Sequence, residues 1–237
     1  MFLNIKELSR SEKEICFKTI SPKAIFAIVG DALKKHLSIS IIRMGDGESK
    51  ILSSTKSAKI FTEFDNTHKD WNKRLGIKGM PIDLLRKNIL KAGNECTYFA
   101  PSLSGISLPD YFLYNFFKPR SIYFDNFFVN EWNTKMIKTL LEAAEGVFII
   151  HRDYEKIITN LKKNYKLNKQ VFKGFKKNSW QDNQEAIETA VNSGMQLILF
   201  SGGPGAKIIG PEIAKGNNKI VLDIGNTLIP WSIKRVK

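Results

Sequence analysis

The feature that most limits what this chain can fold into is a set of short apolar runs in its C-terminal part. Val147-Phe-Ile-Ile150, Leu197-Ile-Leu-Phe200 and Ile220-Val-Leu222 are apolar at every position rather than at every second one. A strand with one wet face alternates, whereas a strand covered on both faces does not, and such strands belong to parallel sheets with crossover helices above and below. Helical patterns separate the runs: Ile157, Ile158 and Leu161 after the first, Gln184–Val191 before the second, and Ile208, Ile209, Ile213 and Ala214 before the third. Lys169-Gln-Val-Phe172 reads as one more short strand. This alternation predicts an α/β fold with a Rossmann-like, mostly parallel sheet and helices on both faces.

The earlier part of the chain carries the same rhythm less cleanly. Residues 22–36 have apolar positions at helical spacing, with Ser21 placed as N-cap and Pro22 in the first turn. Ile39–Arg43 is β-rich; residues 66–77 and 81–92 read as amphipathic helices, the second opened by Pro81. A strand at Cys96–Ala100, an aromatic helical segment at 109–117, a short strand at Ser121–Phe124 and a helix over 130–144 complete the middle. No repeat, low-complexity tract or Pro/Gly/Ser linker divides the chain. It therefore reads as one domain over 1–237, with 1–20 as an N-terminal extension and the helical middle as an insertion beside the sheet edge. The aromatic residues Tyr111, Phe112, Tyr114, Phe116, Phe117, Tyr123, Phe124, Phe127 and Phe128 read as core, with an acceptor-binding surface as the alternative.

Two stretches carry chemistry. In Ile41-Ile-Arg43-Met-Gly45-Asp46-Gly47-Glu48, a strand stops at two glycines flanking Asp46, with Glu48 two positions on and Arg43 just before. Ligands of open α/β sheets bind beyond the carboxyl ends of strands, which is where this group falls. Asp-x-Glu offers hard oxygens, and a divalent ion bridging phosphates takes one or two protein carboxylates. The competing account makes the two acids a helix cap and a first-turn charge. The second stretch, Ser201-Gly-Gly-Pro-Gly-Ala-Lys207, is a glycine turn between a strand and a helix, whose free N–H groups form an anion cradle to which Lys207 adds a charge. It lacks the Gly-Lys-Ser/Thr ending of a Walker A loop, and a tight turn without a ligand is the alternative. Asp223 and Asn226, past the next strand, suit hydroxyls of a ribose or sugar, while His151 and Asp153, past Ile150, are candidates for a general base.

Composition sets the remaining bounds. With 37 basic and 23 acidic residues the net charge is +14, which draws phosphate ligands, nucleic acid or an acidic membrane face. Lys162, Lys163, Lys166, Lys169, Lys173, Lys176 and Lys177 are interleaved with Tyr165, Phe172, Phe175 and Trp180, a pattern suited to single-stranded nucleic acid. A solvated face with the rings turned inward is the simpler account, and a membrane surface or lipid-linked phosphate a third. Cys16 and Cys96 read as free thiols in a reducing compartment, and His36, His68 and His151 have no zinc spacing. A charged N-terminus without a signal-peptide pattern, and no apolar run of membrane length, point to a cytoplasmic protein, with peripheral contact at the inner membrane face as an option.

The order of these motifs resembles one family. Arg43-Met-Gly-Asp-Gly-Glu48 after an early strand, then Leu197-Ile-Leu-Phe-Ser-Gly-Gly-Pro-Gly-Ala-Lys-Ile-Ile-Gly-Pro-Glu-Ile-Ala214 and Val221-Leu-Asp-Ile-Gly225, is similar to the GT-D-fold glycosyltransferases, from about Ser21 to Trp231. The resemblance implies transfer of a sugar from a nucleotide-sugar donor, UDP-linked, to a glycan, glycoprotein or lipid-linked acceptor, with a role in surface polysaccharide synthesis. It makes Asp46 and Glu48, beside Arg43, the catalytic group that organises a divalent metal, Mn²⁺ or Mg²⁺, with the donor. The Ser201–Lys207 backbone, with Gly202, Gly203, Gly205 and Lys207, would then lie near the donor's pyrophosphate, and Asp223 would edge the pocket. Gly45 and Gly47, which let a ligand approach closely, and Asn226, which suits a sugar hydroxyl, join them as donor-binding candidates on their own chemistry. The family pattern continues Asp-Ile-Gly-His, where this chain has Asn226. A nucleic-acid-binding protein, or a sugar transferase acting on a DNA base through the 162–177 surface, is the alternative.

Overall fold

A computed structural model of the chain describes residues 10–53, 76–101 and 116–234. The helix expected at 66–77 and most of the aromatic segment at 109–117 lie outside these residues. In chain order the elements are α1 (Arg10–Phe17), β1 (Thr19–Ile20), α2 (Pro22–Lys34), β2 (Ile39–Arg43), α3 (Asp46–Ser53), α4 (Ile82–Glu95), β3 (Tyr98–Ala100) and β4 (Tyr123–Phe124). There follow α5 (Phe128–Glu131), α6 (Thr134–Ala143), β5 (Val147–Ile150), α7 (Tyr154–Tyr165), β6 (Phe172–Phe175) and α8 (Asn183–Val191). The chain closes with β7 (Leu197–Phe200), α9 (Ile209–Ala214), β8 (Ile220–Asp223) and α10 (Leu228–Ile233).

Among the described residues six strands form one sheet in the order β3-β2-β8-β7-β5-β6, with every pairing between them parallel. The apolar runs explain this directly. Ile41, Leu222, Leu199 and Ile149 lie in register across four strands and face one hydrophobic layer. Phe148, Ile198 and Val221 form the neighbouring row and face the other. Helices α2, α6, α7 and α10 cover the first face, and α4, α8 and α9 the second, so both sides of the sheet are buried.

Local chemistry sets several boundaries. Ser21 caps α2, its hydroxyl accepting the Ala24 N–H at 3.2 Å, with Pro22 at the first helical position where no N–H is needed. The single helix expected over 130–144 is two helices. The chain extends at Trp132, and Asn133 restarts it as the N-cap of α6 by accepting the Met136 N–H at 2.9 Å. The strand expected at Lys169–Phe172 lies further on, because Gln170 leaves the ladder and donates its amide to the Leu141 and Ala144 carbonyls. Residues read as an N-terminal extension form α1 and β1: Ile15 is buried, and β1 pairs in parallel with β4. Helix α10 is held by Trp231, which stacks on Trp132 at 5.8 Å and donates to the Val129 carbonyl, while the Tyr165 hydroxyl donates to the Trp231 carbonyl at 2.9 Å.

This topology places a crevice. From β5 the chain leaves through α7, on one face, to the edge strand β6; from β7 it leaves through α9, on the other face, toward β8. The loops after β5 and β7 therefore diverge, and the gap between them at the carboxyl ends is where open α/β sheets take ligands.

Candidate active site

A cleft of about 470 Å³ opens at that point, lined by His151 and Arg152 after β5, Lys177 and Asn178 after β6, Ser201, Gly202, Gly203 and Lys207 after β7, Asp223, Gly225 and Asn226 at the end of β8, and Gly76. Of the residues expected to bind a donor, Ser201, Gly202, Gly203, Lys207, Asp223 and Asn226 meet here; Gly45, Gly47 and Gly205 are not among the lining residues.

The glycine turn is built for close approach. Gly203 has φ 62° and ψ −163°, a region essentially closed to residues with a side chain. A Cβ on Gly202 would stand 2.5 Å from the Ala206 side chain and 3.4 Å from Lys177 Nζ. Ser201 N–H donates to the Ile150 carbonyl and Ala206 N–H to the Gly203 carbonyl, whereas the Gly202 and Gly203 N–H groups take no partner among the described residues. The turn passes through a 3₁₀ segment, Pro204–Ala206, before α9 begins at Ile209. The donors are therefore the loop's own N–H groups, and the start of α9 lies beyond them in the chain. Gly205 serves packing: its carbonyl accepts the Asn183 amide at 2.7 Å, and Ile77, the Gly76 carbonyl and Trp180 crowd its Cα.

Beneath the cleft lies a buried charge cluster. Lys207 Nζ donates to Asp223 Oδ2 at 2.6 Å and stands 3.3 Å from Glu48 Oε1, with all three side chains nearly inaccessible. Burial opposes the Lys207 ammonium, but Asp223, Glu48 and the hydrogen bond to Asp223 outweigh it and hold its pKa above the ordinary lysine value. Asp223 Oδ2 also accepts the Arg43 N–H at 3.3 Å. The Arg43 guanidinium donates through Nε to the Asn126 carbonyl and through Nη1 to the Ile224 carbonyl. Burial lowers its pKa, with Asp223, Glu48 and Asp125 opposing. Asn126, not singled out by the sequence, joins this cluster by donating its amide to the Met44 carbonyl at 3.1 Å.

The Asp-x-Glu stretch divides in two. Gly45 is the N-cap of α3, since the Ser49 N–H donates to its carbonyl, and Glu48 Oε2 reaches back to accept the Gly45 N–H at 2.9 Å. That is the glutamate half of a capping box. The N-cap is thus Gly45 rather than Asp46, and Glu48 takes the first-turn place weighed against the metal role. A Cβ on Gly47 would stand 3.7 Å from the Pro204 ring, so the start of α3 faces the glycine turn. The Asp46 carboxylate lies outside the described side chains. As a metal ligand Glu48 does not fit: one oxygen holds a backbone N–H, and the other faces an ammonium that repels a dication. Among the described residues no three His, Cys, Asp or Glu side chains form a metal-binding group.

His151 lies at the cleft, but not as a base. Its Nδ1 accepts the Asp153 N–H at 2.9 Å, which leaves the proton of the neutral ring on Nε2. Burial lowers its pKa, Asp153 opposing and Arg152 assisting, so near neutrality the ring is an uncharged N–H donor. Asp153 is half-exposed and is not among the lining residues. In the lysine run, Lys163, Lys166, Lys169, Lys173 and Lys176 are exposed, while Tyr165 is buried and Phe172, Phe175 and Trp180 pack against the two cores. The rings turn inward and offer no stacking platform. Lys177 is the exception, buried and in the cleft. Its one sequence signal is the Ser179-x-x-Asp182 capping box that follows and fixes the loop.

A family model, the GT-D fold-like domain, matches residues 20–229. Among solved structures, the chain is similar to the selenomethionine-substituted structure of domain of unknown function 1792 (17% identity, 93% of this chain and 84% of that one, TM-score 0.53). A second structure, described as showing that this highly conserved domain has a distinct glycosyltransferase fold, gives 16% identity, the same coverages and a TM-score of 0.55. A third, a new glycosyltransferase of the same domain class from Streptococcus sanguinis, gives 13% identity over 90% of this chain and 84% of that one, with a TM-score of 0.56. At these identities the likeness is one of fold. No curated protein matches the chain.

Proposed function

The chain belongs to the GT-D-like family, and from that premise we propose that it transfers a hexosyl group from a UDP-linked sugar to the hydroxyl of a glycan, glycoprotein or lipid-linked acceptor. The observation that carries the reading is the cleft at the β5–β7 crevice. There the N–H groups of Gly202 and Gly203, without a partner among the described residues, line the same cleft as Lys207 and Asp223 of the buried cluster that also holds Glu48 and Arg43. In the reaction the acceptor oxygen bonds to the anomeric carbon as the bond from that carbon to the phosphate oxygen breaks. The acceptor loses its proton, and the electron pair leaves with the nucleoside diphosphate.

The charge that develops on the leaving diphosphate needs fixed donors, and losing one such donor costs about 10²–10³ in rate. The two glycine N–H groups and His151 Nε2–H supply them. Lys207 and Arg43 set the potential of the cleft floor without leaving their carboxylate and carbonyl partners. Glu48 is committed to Gly45 and Lys207, so of the two carboxylates Asp46 is the one that would hold a divalent ion against the diphosphate. Among the described residues no helix is long and apolar enough to cross a membrane. The lysine surplus suits an acceptor that carries phosphate.

The test is a panel of nucleotide sugars incubated with the protein and cell-derived acceptor glycans, read as release of the nucleoside diphosphate. Release from a UDP-sugar that is lost in Asp46→Asn with the fold retained supports the reading. A protein that neither binds nor cleaves any nucleotide sugar refutes it.

A further inference from the structure

Two lysines reach the cleft, and their surroundings differ. Lys207 is neutralised by Asp223 and Glu48. Lys177, 5% exposed, has no ion-pair partner among the described residues. Among the described residues its Nζ donates once, to the Ser179 carbonyl at 2.6 Å, and two of its three N–H groups have no acceptor there. Asp182, the acid whose field acts on it, gives Oδ2 to the N–H groups of Asn178 and Ser179 and so serves the loop. That loop is fixed further by Trp180 Nε1 on the Lys78 carbonyl and by Asn183 on the Gly205 carbonyl. A glycine at 202 leaves the space in front of the ammonium open. A buried cation without a counter-ion, held rigidly at the wall of an open cleft, is costly unless an anion completes it.

We propose that Lys177 is the anion-binding lysine of this site, its ammonium pairing with a phosphate oxygen of the donor's diphosphate beside the Gly202 and Gly203 N–H groups. The inference rests on the glycosyl-transfer reading for the identity of the anion, and on the geometry alone for the site. Burial pushes the Lys177 pKa down to about 8, with Asp182 opposing. The other charged or titratable groups at the cleft are His151 and Arg152 after β5 and Lys207 and Asp223 after β7 and β8. Lysine binds phosphate as a point charge, so its protonation sets the affinity.

Calorimetric titration of the full chain with UDP at pH 7 and pH 9 tests this, using wild type, Lys177→Met and Lys177→Arg. Wild-type affinity should fall about tenfold between the two pH values, as a group titrating near 8 discharges. Lys177→Arg should keep affinity within about threefold at pH 7 and lose the pH dependence, because arginine stays charged. Lys177→Met should bind at least tenfold more weakly at pH 7, yet melt no lower than wild type without ligand, since an apolar side chain replaces a buried charge. UDP binding that is unchanged in Lys177→Met, or a pH fall that persists in Lys177→Arg, overturns the assignment and leaves the transferase reading standing. Inorganic pyrophosphate at pH 7 separates the two ideas in the other direction. Lys177-dependent binding of pyrophosphate without binding of UDP supports the anion site and refutes the nucleotide-sugar donor. Binding of neither overturns both.

Discussion

Replacing Lys207 by methionine removes the one cation among the described residues whose ion pairs reach both Glu48 and Asp223. The two carboxylates are 6% and 2% exposed, so losing the cation leaves both charges largely desolvated. Breaking a buried ion pair by removing one partner costs about 3–5 kcal/mol, because the stranded charge stays desolvated. For a domain of this size each kcal/mol moves the melting temperature by about 2–4 °C, so Lys207→Met should melt about 6–20 °C below wild type at pH 7. In wild type the Lys207 pKa is raised above its ordinary 10.5, so its stabilising contribution is complete below 10.5 and is lost only as pH rises past the folded value. Wild-type stability from this group should therefore be flat from pH 6 to 9. Scanning calorimetry of wild type across that range and of the variant at pH 7 reads both effects, and Lys207→Met combined with Glu48→Gln should recover part of the loss. A variant that melts within about 2 °C of wild type would refute the claim that this cluster holds the cleft floor together.

Three further outcomes follow from the same geometry. Gly203→Ala forces a side chain into the glycine-only region at φ 62°, and should cost about 1–3 kcal/mol in urea unfolding while abolishing UDP binding. The His151 pKa is lowered by burial, so its contribution to stability is complete above pH 6.5 and is lost as pH falls through the folded value; His151→Gln, unfolded in urea at pH 7 and pH 5, should lack that acid loss. Glu48→Gln should lower the melting temperature yet leave intact whatever increment Mn²⁺ adds to the UDP-bound protein, since Glu48 caps α3 and pairs with Lys207.

The sheet was legible because its signal is local. Val147–Ile150, Leu197–Phe200 and Ile220–Leu222 announce strands buried on both faces, and the structure pairs them with parallel neighbours. Breaks that depend on a single capping side chain were not legible, as at Asn133, because the 130–144 apolar pattern continues across it. The site shows the same division. Glycines and acids marked Asp46–Glu48 and Ser201–Lys207, but nothing local says that Lys207 finds Glu48, or that the Arg43 N–H finds Asp223 across 180 residues. Lys177 was hidden among exposed lysines of the same run, since burial is a property of the loop that follows it rather than of its own neighbours. His151 was visible as a titratable group past a strand end. Its proton position was not, because a backbone N–H from Asp153 decides it.

The position of β8 bears on how the molecule is made. This strand is the last of the described strands in chain order but lies inside the sheet, between β2 and β7. Until it has been synthesised, the remaining strands can pair only as two fragments, β3-β2 and β7-β5-β6, with no ladder between them. Translation at about 5–20 residues per second therefore keeps the early strands waiting for many seconds, with two unpaired sheet edges exposed. Joining distant segments makes the contact order high and the closing step slow. The same step delivers Asp223 to Lys207 and to the Arg43 N–H, so the cleft floor does not exist in any shorter nascent chain. A chaperone that holds such edges apart would act on the interval before β8 arrives, and a stop codon upstream of Ile220 would yield two unjoined half-sheets rather than a weakened domain.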